Sequence, residues 1–332
     1  MLVLNTLLVT GYGVRLRYRK GLVVVETRSG EKQEIPLANL DQVLIATSGV
    51  WFSSKLVRKL VEHGVDLVVL DSRGYPVGRV YPPFVNRTVE TRRAQYLAYS
   101  THRGVHVARE IVYAKLANQS SLLRKYYYYT GMQELREASS RISSIALKVR
   151  ELEGTLVDLK EELRVLEAEA ARVYWSSYAL LLPKELGFDG RDQDSLDPVN
   201  ISLNYAYGLL YGECWKAVVL AGLDPYAGFI HEDRSGKPVL VFDFVEMFRF
   251  TADSVVLVLF RRGWKPGLSN GLLDYESRRR IIEGVTEFLD NTKTSYLDEA
   301  PVSLRQAIKK TALALASYIR GEGVFVGYVH RW

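Results

Sequence analysis

The chain has 332 residues, 48% of them hydrophobic and 25% charged, which excludes wholesale disorder and allows about two domains. One cysteine, Cys214, excludes a disulfide framework and any cysteine-built zinc site. A net charge of +6 leans toward anionic partners.

Residues 1–85 read as a β-rich N-terminal domain, a strand sandwich or roll with one helix. Segments 14–19, 22–27, 43–46 and 67–71 are rich in Val, Ile, Leu and Tyr. The turn formers Gly11-Tyr12-Gly13, Lys20-Gly21, Ser29-Gly30 and Arg73-Gly74-Tyr75-Pro76 separate strands. Segment 53–63 is the exception. There Leu56, Val57, Leu60 and Val61 recur at helical spacing, and Gly64 ends the pattern. The N-terminus MLVLNTLLVTGYG has no basic stretch ahead of its apolar residues, and no apolar run approaches the ~18 residues of a membrane span. A cytoplasmic protein with no membrane partner is expected. Tyr81-Pro82-Pro83-Phe84 breaks regular structure and is the expected linker.

Residues 86–332 change to a helical period, so the expected class is α+β, with an all-α C-terminal domain after the β-rich one. Residues 94–129 carry long apolar faces. From Ile142 the steps alternate three and four through Ile145, Val149, Leu152, Leu156, Leu159, Leu163, Leu166, Ala170 and Val173. That seam predicts a long helix packed as an antiparallel hairpin or along a partner. Further helices are expected at about 200–222, 275–290 and 302–320. The four tyrosines at 126–129 point around a whole helix turn, part core and part interface, and are assigned no chemistry.

The acids and histidines carry the chemical signal. Of the five histidines, His231 differs from the rest: it follows the turn-rich approach GLDPYAGFI, with VFDFVEMFR downstream. If the downstream segment is helical, Asp243 and Glu246 share a face, and two acids in so apolar a stretch need a cation, either Arg249 or a metal ion. Glu167 is a third candidate, on one side of its helix with Ala170, Ala171 and Tyr174. Carboxylate–imidazole–carboxylate is a ligand set for Mg²⁺ or Mn²⁺. On spacing alone the commoner readings are a solvated glutamate and a local salt-bridge cluster.

The segments EAEAARVY (167–174), NYAYGLLY (204–211), GLDPYAGFIH (222–231) and DFVEMFR (243–249), in this order, resemble the CRISPR-associated integrase/endonuclease of the spacer-adaptation module, the first-numbered Cas family. The N-terminal half matches in Ile35-Pro36, Leu40-Asp41-Gln42-Val43-Leu44-Ile45, residues 64–71 and Gly78-Arg79, and the C-terminus in Arg331-Trp332. Ala168 departs from the family's usual Gly, and Glu246 stands where some members carry Asp. The resemblance implies a helical catalytic domain, a homodimer made chiefly through the N-terminal domains, and a metal held by Glu167, His231 and Glu246. Asp243 falls on the neighbouring acidic position, beside the ligands or alternating with them. A general-base role is the alternative for His231. Also implied are metal-dependent DNase activity, spacer integration by 3′-hydroxyl attack on a repeat phosphodiester, double-stranded and branched DNA as substrates, and a small ferredoxin-like companion Cas protein.

For holding DNA, residues 71–110 contain seven arginines against three acidic residues, interleaved with Tyr75, Tyr81, Tyr96 and Tyr99. Arg79, Arg92 and Arg93 are the expected phosphate contacts. Arg172 is expected to reach the same DNA from the Glu167 helix, and Tyr211 falls on a family tyrosine near the active site. Two other readings share these features: a transposon-borne integrase of the same chemistry, and a non-enzymatic DNA-binding scaffold.

Overall fold

The computed structural model describes residues 2–3, 5–80, 87–269, 271–297 and 300–332. The expected linker at 81–84 and the boundary at 85 lie outside the described residues. In chain order the first part holds β1 (Leu2–Val3), β2 (Thr6–Val9), β3 (Arg15–Arg19), β4 (Leu22–Glu26), β5 (Lys32–Pro36), β6 (Gln42–Ile45), β7 (Trp51–Phe52), α1 (Ser54–Glu62), β8 (Asp66–Leu70) and β9 (Pro76–Val80).

Two sheets result. Strands β3 and β4 form an antiparallel hairpin closed by Lys20 (φ 46°) and Gly21 (φ 83°), the paired positive dihedrals that match strand twist in a two-residue turn. β5 and β7 complete a four-stranded sheet in the order β5-β4-β3-β7. The second sheet runs β1-β2-β6-β8-β9, with β2, β6 and β8 parallel and in register at Leu7, Val43 and Leu67. Parallel strands covered on both faces read as unbroken apolar runs. Here Leu7, Val9, Val43, Ile45 and Leu67 face the four-stranded sheet and α1, whereas Leu8, Leu44, Val68 and Leu70 join the core of the helical part. The N-terminal sheet is therefore also a wall of the C-terminal core.

The helical part comprises α2 (Thr88–Ala98), α3 (His102–Thr130), α4 (Gln133–Glu151), α5 (Leu156–Ala179), α6 (Pro198–Leu220), α7 (Val239–Glu246), α8 (Phe250–Arg261), α9 (Tyr275–Asn291) and α10 (Leu304–Arg320). It is not purely α. Two two-residue ribbons, β10 (Leu268–Ser269) with β11 (Leu272–Leu273) and β12 (Lys293–Thr294) with β13 (Val302–Ser303), brace α9. The heptad seam is not one helix either. Gly154 (φ 131°) breaks it, and Thr155 restarts it with a capping box to Asp158. α4 folds back along α3, with Ser139 against Ser120 and Arg150 against Glu110, and α5 folds back along α4, with Arg141 paired to Glu169.

α6 is apolar around nearly its whole circumference and is buried accordingly. Gly208 permits this: a Cβ there would stand 2.8 Å from the Gly74 backbone in the turn between β8 and β9. α6 thereby lies directly against the sheet, and its Tyr207 and Tyr211 line a cleft.

Candidate active site

Asp243 is fully buried on α7. Its Oδ2 accepts the N–H of Phe229 at 2.6 Å and of Ile230 at 3.0 Å, and its Oδ1 accepts the N–H of His231 at 3.1 Å. The same Oδ1 lies 2.6 Å from His231 Nδ1. One carboxylate thus holds both the loop and the ring. Gly228 makes the approach possible, because a Cβ there would come within 2.7 Å of Asp243 Oδ2. From the other side Gln95 on α2 pins the loop, donating to the carbonyls of Asp224 at 2.9 Å and Ala227 at 2.7 Å. The bond from Asp243 raises the His231 pKa against the opposing effect of burial, helped by the charges of Asp243, Glu246 and Glu167. With Nδ1 engaged, Nε2 is the ring atom left for a ligand.

Glu167 on α5 and Glu246 at the end of α7 meet at a single cation, Lys115 of α3. Its ammonium is 2.6 Å from Glu246 Oε2 and is also bonded to Glu167 Oε1. Arg249 Nη2 holds the other Glu246 oxygen at 2.8 Å. Burial opposes ionisation of Glu246, but Arg249 and Lys115 outweigh it and hold the carboxylate well below its usual range. The Arg249 guanidinium lies 4.7 Å from the Tyr207 ring centroid, and Tyr207 donates to buried Asp253, which also accepts Tyr174 at 2.7 Å. Burial pushes Asp253 up to about 6.

Among the described residues, no three His, Cys, Asp or Glu side chains already form a group able to hold a metal ion. The donor chemistry nevertheless suits a hard divalent cation. Glu246 Oε2 is buried, with Lys115 Nζ at 2.6 Å as its cation. The ammonium sits where the two carboxylates converge, as a stand-in for a cation between them. The site opens into a cleft of about 870 Å³, whose wall adds Lys160, Arg164, Arg234 and Lys237, with Glu161 and Glu232 between them, to Glu167, His231, Tyr207, Tyr211 and Arg249. Carboxylates ringed by basic residues in a cleft form an arrangement for a phosphorylated polyanion.

Comparison with known proteins agrees. The family described as CRISPR associated protein Cas1 matches residues 7–287. The chain belongs to the Cas1 family. A relative named CRISPR-associated endonuclease Cas1 1, from Pyrobaculum aerophilum, is 40% identical over 83% of this chain and 88% of its own length. CRISPR-associated endonuclease Cas1 2 of Saccharolobus solfataricus is 35% identical over 99% of both. Among solved structures, a casposase bound to integration product shares the fold with a TM-score of 0.82 at 24% identity, over 97% of this chain and 92% of that one. A CAS1 protein from Thermotoga maritima does so at 0.74 and 22%, over 96% of this chain and 98% of that one.

The structure sorts the other expected residues of this Cas1 family member. Tyr211 lines the cleft, packed edge-on to Tyr75 at 6.0 Å and to Trp215 at 5.8 Å. Arg93 is exposed on α2, and Arg92 is half-buried with its Nε unpartnered. Arg79 corrects the expectation of a phosphate contact. Its side chain is 8% exposed, pairs with Asp66 at 3.1 Å and donates to the Gly212 carbonyl at 2.7 Å, which bolts the sheet to α6. Arg172 lies outside the cleft. Five residues past Glu167 is about 140° around a helix, and Arg172 instead lies in a shallow groove with Arg141 and Glu169.

Lys115 escaped the sequence reading. Its signal is a lysine inside the apolar stretch IVYAKLA of α3, where buried neighbours on both sides demand an anion from elsewhere.

Proposed function

We propose that this chain is a metal-dependent DNA integrase and nuclease that inserts spacers into a CRISPR array, with Mg²⁺ or Mn²⁺ held by Glu167, Glu246 and His231 Nε2. The observation that carries the reading is the convergence of Glu167 and Glu246 on one cation beside His231, at the floor of a basic cleft. The endonuclease names of the curated relatives support it.

In this reading Lys160, Arg234 and Lys237 bind DNA phosphates and bring a phosphodiester against the carboxylates. A bound divalent ion supplies Lewis-acid polarisation of the phosphoryl oxygen. A DNA 3′-hydroxyl attacks the phosphorus, a new P–O bond forms, and the repeat strand leaves as its own 3′-hydroxyl. Water in place of the attacking hydroxyl gives hydrolysis. No protein nucleophile takes part. Asp243 fixes the imidazole so that Nε2 faces the ligand side, and Tyr207 backs Arg249, which keeps Glu246 ionised. Lys115 would have to withdraw from the carboxylate pair for Glu167 and Glu246 to hold a divalent ion.

The proposal extends to assembly and place. Tyr12, Trp51 and Phe52 are 66%, 72% and 44% exposed on the strand-rich part, apolar surface for homodimer contact there. The companion is a small ferredoxin-like Cas protein, in keeping with a fold neighbour solved as part of a Cas6-RT-Cas1–Cas2 complex. Double-stranded and branched DNA are the substrates, and the location is cytoplasmic. No helix among the described residues is long and apolar enough to cross a membrane.

The test is strand transfer of a 3′-hydroxyl duplex into a supercoiled repeat plasmid, with and without Mn²⁺. Glu167→Ala, His231→Ala and Glu246→Ala are each expected to abolish transfer while folding and most DNA affinity persist. Full Mn²⁺-dependent transfer by His231→Ala overturns the site.

A further inference from the structure

The four tyrosines at 126–129 have no part in the cleft. They close α3, thirteen residues beyond Lys115 at Tyr128, about 20 Å along the helix. Tyr128 and Tyr129 are 77% and 74% exposed. Each is backed by an inner ring: Tyr128 lies 5.3 Å from Tyr127, and Tyr129 lies 6.2 Å from Tyr126. The inner rings carry cations in turn. Arg136 stands 5.9 Å from the Tyr127 centroid, and Arg261 5.2 Å and Lys125 6.0 Å from that of Tyr126.

Charge decides what this surface suits. Several arginines on the helical part are tied to carboxylates, as Arg141, Arg150, Arg164 and Arg320 are. Lys125, Arg136, Arg261 and Arg262 have no carboxylate partner among the described residues, although Glu134 and Glu137 lie on the adjoining turn of α4. Cations without a carboxylate partner, set behind two exposed aromatic rings, complement a phosphate backbone with accessible bases, which only an unpaired strand offers.

We propose that the α3–α4 tip is a single-stranded DNA platform, with Tyr128 and Tyr129 stacking on bases and Arg261 and Arg262 binding phosphates. It rests on the reading that the cleft works on DNA, and adds a second contact for an unpaired flank of the same substrate. Stacking tolerates any base, so the platform is indifferent to sequence.

The experiment measures binding alone, in EDTA, with the full chain and two labelled DNAs: a blunt duplex and the same duplex with a single-stranded tail. Replacing both tyrosines (Tyr128→Ala with Tyr129→Ala) is expected to weaken tailed-DNA binding about tenfold or more and leave blunt-duplex binding unchanged. Replacing both with Phe is expected to retain tailed-DNA affinity, since the ring faces remain. Arg261→Gln with Arg262→Gln is expected to lower the slope of log affinity against log salt by about 1.4, at about 0.7 per phosphate on a single strand. Equal affinity and slope in all variants overturn the proposal. So does a loss confined to self-association or companion binding in sedimentation, which identifies a protein interface. A catalytic site wrongly assigned leaves these binding outcomes untouched and appears only in strand transfer.

Discussion

Lys115→Met isolates the electrostatics of the carboxylate pair. Both carboxylate oxygens lie within 2.6 Å of the one ammonium nitrogen, so they are at most about 5 Å apart, and at an effective dielectric of ~20 their repulsion is about 3 kcal/mol once the cation is gone. Arg249 still engages the outer oxygen of Glu246, which keeps the loss at the low end of the ~3–5 kcal/mol typical of breaking a buried pair. Across 332 residues, with an unfolding entropy of about 2.1 cal/mol/K per residue, this lowers Tm by about 4 °C. Scanning calorimetry in EDTA is the first measurement, and a Mn²⁺ titration of Tm the second. Divalent metal at 100 times its dissociation constant adds about 2.7 kcal/mol, nearly restoring the variant. The wild type is expected to gain less, because Lys115 must first be displaced. A variant as stable as wild type in EDTA, or an equal Mn²⁺ response in both, refutes the reasoning.

Three further outcomes follow from the same geometry. Asp243→Asn removes the charge that holds His231, so Mn²⁺ affinity by calorimetry is expected to drop about 10- to 100-fold. Its onset with rising pH should move to lower pH, because the imidazole pKa loses its main upward influence. Arg79→Ala is expected to cost about 3–5 kcal/mol in urea unfolding while leaving the salt slope of DNA binding unchanged; a reduced slope would restore it to a phosphate role. Asp253 titrates near 6 in the folded protein against 3.8 ordinarily, so between those values the native state holds a proton that the unfolded chain has released. Stability is therefore expected to fall as pH rises from about 4 to 6, by up to about 3 kcal/mol, and Asp253→Asn should flatten that part of the profile.

The sequence made visible what local rules decide. Lys20-Gly21 between two strand-like runs specifies a hairpin, and Ser53 with Gly64 bounds α1, because these are contacts of a residue with its near neighbours. The seam from Ile142 was legible as packing but not as two helices: Leu152 and Leu156 keep the period across Gly154, so only the glycine and the Thr155 cap signalled the fold-back. At the site, the pairing of Asp243 with a cation was legible, but its partner is His231, fixed by a loop conformation that no periodicity reports. Lys115 was invisible because its anions arrive from α5 and α7, and Arg79 was misplaced because an arginine bonded to a backbone carbonyl of α6 looks, in one dimension, like any basic residue.

The sheet shared by the two halves makes each half the other's foundation. Leu44, Val68 and Leu70 press on Leu209, Ile282, Val285 and Leu289 around a space for about one water molecule. A polypeptide begun at residue 87 would expose that apolar floor and self-associate rather than yield a working catalytic fragment. The same masonry means that strain applied to the strands is delivered to α6, the helix that also supplies Tyr207 and Tyr211 to the cleft.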